Sequence, residues 1–182
     1  MLRLFVGLGI PEPLRLQLAA MHSGIAGARW VTPENLHLSL RFIGEVDEGT
    51  AEDIDAALGR IFAEPFGEAL SGVGCFAPGG RAHTGWAGAK ASPPLLRLQA
   101  RVEAALQQAG LAPVGRKFTP HVTLARMKRL PVEQIAPYLS SHGGFEAAPF
   151  TAEKFILYRS HLGHGGANYE ALATYPLSGF TN

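Results

Sequence analysis

The sequence predicts an α+β fold with largely antiparallel sheets, arranged as two halves that face one another. Stretches with strand and helix periodicity follow one another along the chain, separated by Gly- and Pro-rich turns. The pattern His-apolar-hydroxyl-apolar occurs twice, as His37-Leu38-Ser39-Leu40 and as His121-Val122-Thr123-Leu124. The two copies stand 84 residues apart in a chain of 182, about the spacing expected if each half of an internal duplication contributes one.

Leu2 to Ile10 is apolar and β-compatible and stops at Pro11 and Pro13, after which Leu14, Leu16, Leu18, Ala19 and Met21 predict a helix ending near Gly24. Pro33 and Asn35 mark a turn before Leu36 to Ile43, a strand in which apolar residues alternate with His37, Ser39 and Arg41. A second helix is predicted from about Thr50 to Phe62 on Ile54, Ala57, Leu58 and Ile61. Strands near Phe66 to Phe76 and Ala82 to Ala89 flank the turn Pro78-Gly79-Gly80. Leu95, Leu98, Val102, Ala105 and Leu106 form one stripe of a third helix from about Pro94 to Ala109, stopped by Gly110. Arg116 to Arg126 reads as a second motif-bearing strand, with His121 and Thr123 on one face and Val122 and Leu124 on the other. A short helix from Val132 to Leu139 follows. Phe150 to Tyr158 and Asn168 to Leu177 then form a final strand pair across Gly163 to Gly166.

Hydrophobic residues make up 47% of the chain and charged residues 17%, which places it among globular rather than disordered sequences. Sixteen Lys and Arg against fifteen Asp and Glu leave a net charge of +1, too little for a broad field that holds long duplex nucleic acid, so any nucleic-acid partner is gripped locally. One cysteine, Cys75, rules out an internal disulfide and fits a reducing compartment. The apolar start lacks the basic region and small-residue cleavage site of a signal peptide, and no apolar run approaches the roughly 20 residues that span a bilayer. The expectation is a cytoplasmic protein that does not enter a membrane.

In each motif the two-residue strand period sets imidazole and hydroxyl side by side on one face, while the alternate Leu and Val residues anchor the other in the core. Two such pairs facing one another suit phosphoester hydrolysis. Imidazole, with an ordinary pKa of about 6.5, serves as base when neutral and as acid when charged. One ring takes a proton from water, the other protonates the departing sugar oxygen, and the hydroxyls donate to phosphoryl oxygens, so that no metal or other cofactor is required. The competing reading is that both pairs line ordinary solvated strand faces. One match to so short a pattern is weak, and two on predicted strands, one per half, are considerably stronger.

The segments Trp30-Val-Thr-Pro-Glu-Asn-Leu-His-Leu-Ser-Leu-Arg-Phe-Ile-Gly-Glu45 and Phe118-Thr-Pro-His-Val-Thr-Leu-Ala-Arg126 closely resemble the two signatures of the two-histidine (2H) phosphoesterases. The nearest branch is the RNA 2′,3′-cyclic phosphodiesterases, also called ThpR, LigT or 2′-5′ RNA ligases. Arg3 to Leu8, Leu157 to Leu162, Gly166 and Tyr169 extend the resemblance over nearly the whole chain.

The resemblance implies a single domain over residues 1–182, made of two interleaved lobes about a pseudo-twofold axis with the motifs in a central cleft. It further implies hydrolysis of a terminal 2′,3′-cyclic phosphate to a 2′-phosphate, and reversible joining of RNA ends through a 2′-5′ linkage. His121 matches the residue that activates water and His37 the one that protonates the 3′ oxygen. Ser39 and Thr123 match phosphate ligands, and Arg126 the arginine that supports the phosphate. Ser39 stands where the family usually has threonine, which keeps the hydroxyl and loses the methyl that stiffens χ1.

Arg41 shares strand parity with His37 and Ser39 and is a further candidate for the phosphate or RNA backbone, against the alternative of a solvated arginine at a strand end. Phe118, nearest the second motif, and Phe5, Trp30, Phe42 and Trp86 are candidates for base stacking, with packing the simpler reading for each. His161 and His164 beside a Gly-rich turn lack nearby acidic or thiolate ligands, so no metal site is expected there. The partner expected is RNA or an oligonucleotide with a 2′,3′-cyclic phosphate end, bound by a monomer, since a closed two-lobe cleft needs no second subunit. Two other classes are a module that binds RNA ends without chemistry and a hydrolase with zinc on His37 and His121.

Overall fold

The apolar N-terminal run forms β1 (Leu2–Gly9), in which Leu4, Val6 and Leu8 are fully buried. It lies antiparallel between β3 (His37–Val46) and β9 (Lys154–Gly163), and β10 (Gly166–Pro176) follows as a hairpin on β9. On the far side of β3, β7 (His121–Pro131) pairs with β6 (Arg81–Ala89), and β6 with β5 (Leu70–Phe76). The structure, a computed structural model, describes residues 1–178 and gives the order β10-β9-β1-β3-β7-β6-β5, with every neighbour antiparallel. The two-residue strand β2 (Arg29–Trp30) pairs with β7 alone, and β4 (Phe66–Glu68) and β8 (Phe150–Ala152) form a small second sheet.

The helices α1 (Glu12–Ala19), α2 (Glu48–Gly59), α3 (Pro93–Gln108) and α4 (Val132–Ser141) occupy the stretches with helical periodicity. Asp47 caps α2 by accepting from the Thr50 N–H at 2.7 Å, and Ser92 caps α3 ahead of two prolines whose missing N–H groups cost nothing in a first turn. Leu14 and Leu18 of α1, Ile54 and Leu58 of α2, and Leu95, Leu98, Val102 and Leu106 of α3 join Leu38 and Val122 in one core. Ile135 and Tyr138 of α4 pack with Ala82 and Met127 in a second. The sheet face that carries Leu38 and Val122 is therefore covered, and His37, Ser39, His121 and Thr123 stand on the opposite face.

β3 and β7 meet through one registered pair, Leu38↔Val122, at their N-terminal ends. Antiparallel geometry sets His37 beside Thr123 and Ser39 beside His121. Past each motif the strand carries an extra residue. On β3, Ser39 faces Gly7 and Arg41 faces Val6, so one step on β1 spans two on β3 and Leu40 is the surplus. On β7, Thr123 faces Trp86 and Ala125 faces Gly85, which makes Leu124 the surplus. Each of these β-bulges reverses the alternation for the residues just past it; on β3 a second surplus residue, Ile43, between the pairs Phe5↔Phe42 and Leu4↔Gly44, reverses it again.

Several expectations shift in detail. The strand expected over 66–76 breaks at Ala69, because the buried Glu68 carboxylate accepts from the Ala69 N–H at 2.9 Å and from Ser92 Oγ at 3.5 Å, and the chain passes from one sheet to the other. The strand expected from Arg116 begins at His121. The strand expected over 150–158 divides into β8 and β9 at Glu153, whose carbonyl accepts from the Leu177 N–H. β2 has no counterpart in the sequence reading, since two residues are too short for a periodic signal.

Candidate active site

Both motif histidines are oriented in the same way. The Nδ1 of His37 lies 2.7 Å from the Asn35 carbonyl, and the Nδ1 of His121 lies 2.7 Å from the Thr119 carbonyl. A carbonyl only accepts, so each ring carries its proton on Nδ1 and presents a bare Nε2 when neutral. Each carbonyl lies two residues upstream, in the segments Thr32-Pro33-Glu34-Asn35 and Thr119-Pro120. Ser39 Oγ sits 2.8 Å from His37 Nε2 and donates to it while the ring is neutral.

Burial, above all, lowers the His37 pKa to about 4; the Asn35 bond works the other way, and the charges of Arg126 and His121 add to the fall. His121 is lowered by burial first, with the Thr119 bond opposing and Arg126 adding. Both rings are therefore neutral near pH 7 in the free protein. Arg126 is close enough to act on both, and the bulge at Leu124 explains why: on an unbroken strand its side chain would lie on the covered face.

Arg41 is the counterpart that goes the other way. The bulge at Leu40 turns it to the covered side, where its Nε donates to Glu103 at 2.7 Å and its other nitrogens donate to the Phe42 and Ala112 carbonyls. Only 9% exposed, it holds α3 and the segment after it against β3 and has no donor directed at the histidines. The expectation that strand parity carries Arg41 to a phosphate is corrected on this ground. Phe42 takes the outward position instead; it is 55% exposed, with the Arg3 guanidinium 5.3 Å from its ring centroid.

Aromatic rings frame the two imidazoles unequally. Phe5, Tyr169 and Tyr158 surround His37 at centroid distances of 4.7, 5.2 and 5.8 Å. Phe76 meets His121 edge-on at 4.9 Å and Trp86 lies 6.2 Å away. Gly74 leaves room for Trp86, since a Cβ there would come within 2.3 Å of the indole ring. Trp30 stacks on His22 and packs against Tyr138, and Phe118 is partly buried against the core. The sequence reading missed Phe76 as a neighbour of His121. It also missed Asn35, whose side chain donates to the Ala167 carbonyl at 2.7 Å and accepts from the Tyr169 N–H at 3.4 Å, tying the start of β10 to the turn that orients His37.

His161 pairs with Glu170 across the β9–β10 hairpin at 2.6 Å. Among the described residues no three His, Cys, Asp or Glu side chains converge as a metal site would require.

Comparison with known proteins gives a consistent family. The model of a family described as the 2′-5′ RNA ligase superfamily matches residues 11–164. An RNA 2′,3′-cyclic phosphodiesterase of Archaeoglobus fulgidus is 32% identical over 86% of this chain and 92% of its own length. One of Thermus thermophilus is 35% identical over 98% of this chain and 91% of its own. A crystal structure of a Thermus thermophilus protein superimposes with a TM-score of 0.81 at 28% identity, covering 97% of this chain and 98% of that one.

Proposed function

Because the chain belongs to the 2′-5′ RNA ligase superfamily, we propose that it is an RNA 2′,3′-cyclic phosphodiesterase that opens a terminal cyclic phosphate to a 2′-phosphate by metal-independent acid/base catalysis. The observation that carries this reading is the matched pair of imidazoles, each locked through Nδ1 to a backbone carbonyl so that Nε2 is the ring nitrogen available for proton transfer, on His37 in a hydrogen bond with the Ser39 hydroxyl. Nε2 of His121 takes a proton from the attacking water, the bond from phosphorus to the 3′ oxygen breaks, and that oxygen takes a proton from Nε2 of cationic His37. Ser39 and Thr123 donate to the phosphoryl oxygens, and Arg126 balances the charge that grows on them.

The depressed histidine pKa values fit a site completed by its substrate. A phosphate anion beside the rings favours their charged form, working against the burial that depresses His37 most and offsetting the Arg126 charge. An RNA 5′-hydroxyl in place of water would yield a 2′-5′ phosphodiester by the same groups, which is the ligation the family name describes. A single subunit supplies both histidines, consistent with a monomer acting on RNA ends.

The decisive test is hydrolysis of a short RNA ending in a 2′,3′-cyclic phosphate in excess EDTA, with the phosphate position in the product determined by phosphorus NMR. A 2′-phosphate is expected. A 3′-phosphate would refute the assignment of the leaving oxygen, loss of activity in EDTA would reinstate a metal, and absence of product would favour a module that binds RNA ends without chemistry.

A further inference from the structure

The site face carries a second guanidinium that the reaction does not use. Arg29 of β2 is the registered partner of Arg126 on β7. Directly opposed residues of antiparallel strands project to the same face, so the two side chains stand together on the side of His121 and Thr123. Both are exposed, and neither has a carboxylate partner among the described residues. Like charges placed opposite one another destabilise a strand pair. Arg29 also reaches across to β10, where a Cβ built on Gly166 would lie 3.3 Å from its Nη2. The adjoining residues Ala167 and Tyr169 are held by Asn35, so Arg29 sits beside the fixed start of β10.

A cyclic phosphodiester carries one negative charge, and Arg126 is already there to meet it. The Arg126 charge bears on both His37 and His121, whereas the Arg29 side chain extends to Gly166 at the start of β10. The nearest other anion on an RNA end is the phosphodiester on the 5′ side of the terminal ribose. We propose that Arg29, paired with Arg126, forms a second phosphate subsite that binds this internucleotide phosphate and gives the enzyme its preference for oligonucleotide ends over cyclic mononucleotides. The inference rests on the reaction proposed above. It assigns specificity to a residue outside the histidine motifs, since a phosphate contact positions the strand without reading its sequence.

The test compares adenosine 2′,3′-cyclic phosphate, which has no 5′ phosphate, with the dinucleotide ApA ending in a 2′,3′-cyclic phosphate, in wild type and in Arg29→Gln and Arg29→Lys. Wild type is expected to favour the dinucleotide. Arg29→Gln should lower kcat/KM for the dinucleotide roughly 10- to 100-fold, through KM, and leave the mononucleotide within about threefold, the scale of one charge-assisted contact. Arg29→Lys should recover part of the loss because it restores the charge. The slope of log KM for the dinucleotide against log salt should weaken by about 0.7 in Arg29→Gln, as for one lost phosphate contact on a single strand. Equal loss on both substrates would place Arg29 at the reacting phosphate and overturn the proposal, as would no loss on either. If wild type turns over neither substrate, the parent reading fails with it. Turnover of both with an indifferent Arg29 sinks the subsite alone.

Discussion

Each motif imidazole is held by a carbonyl two residues before it, so the backbone fixes the tautomer without a carboxylate partner. His37→Ala and His121→Ala should each reduce turnover roughly 10²- to 10⁴-fold while the fold persists, as circular dichroism would check. Because burial and Arg126 depress both rings, kcat/KM against pH should be bell-shaped, with its maximum on the acid side of the ordinary histidine value of about 6.5. Arg126→Gln removes a positive charge that disfavours the cationic rings, so both pKa values should rise; the C2 proton shifts of the two histidines, followed by NMR, would record it. Unmoved titrations would mean that Arg126 does not face the site. His37, Ser39, His121 and Thr123 are brought together where the strand period predicted a shared polar face. The Asn35 link to β10 was hidden, because it joins residues more than 130 positions apart and leaves no periodic signal.

At the scale of the strand, the β-bulges just past the two motifs decide which arginine shares the face of the histidines. Parity along an unbroken strand puts Arg41 with His37 and turns Arg126 away; one surplus residue just past each motif inverts both outcomes. A bulge changes no residue type and leaves the hydrophobic pattern nearly intact, which is why the sequence pattern misplaced Arg41, while Arg126 was identified only through family resemblance. Arg41→Ala should therefore act on stability. It removes the ion pair to Glu103, which keeps only its bonds from Gln107 and the Val114 N–H, and the donor to the Ala112 carbonyl, and should cost about 2–4 kcal/mol in urea unfolding, the lower end reflecting the partial exposure of Glu103, with KM for a cyclic nucleotide little changed. Gly74→Val should disturb the site from a distance. Its side chain would occupy the space of the Trp86 ring, so a loss of about 1–3 kcal/mol and a change in tryptophan fluorescence are expected.

Across the whole molecule, antiparallel sheets, four helices and the covered face were legible from composition and periodicity, and the order of the strands was not. Pairing partners far apart in sequence leave no local trace, so nothing in residues 2–9 announces that β9 will lie beside them. The partly buried His37 also makes stability depend on pH. His37 has a folded pKa of about 4 against about 6.5 when unfolded, so the unfolded chain binds the proton first and stability falls as pH drops from about 6.5 to about 4. Between pH 7 and 4.5 the loss assigned to this residue is on the order of 2 kcal/mol, and urea midpoints at those two pH values should differ less in His37→Gln than in wild type. The strand order has a consequence for synthesis as well. β5, β6 and β7 are consecutive neighbours and can pair as soon as each leaves the ribosome, whereas β1, made before all three, waits for β9 to cover its open edge. A strand translated before β5, β6 and β7 is thus completed after them, and until then the nascent protein carries an apolar strand edge that a chaperone or another chain is able to pair with.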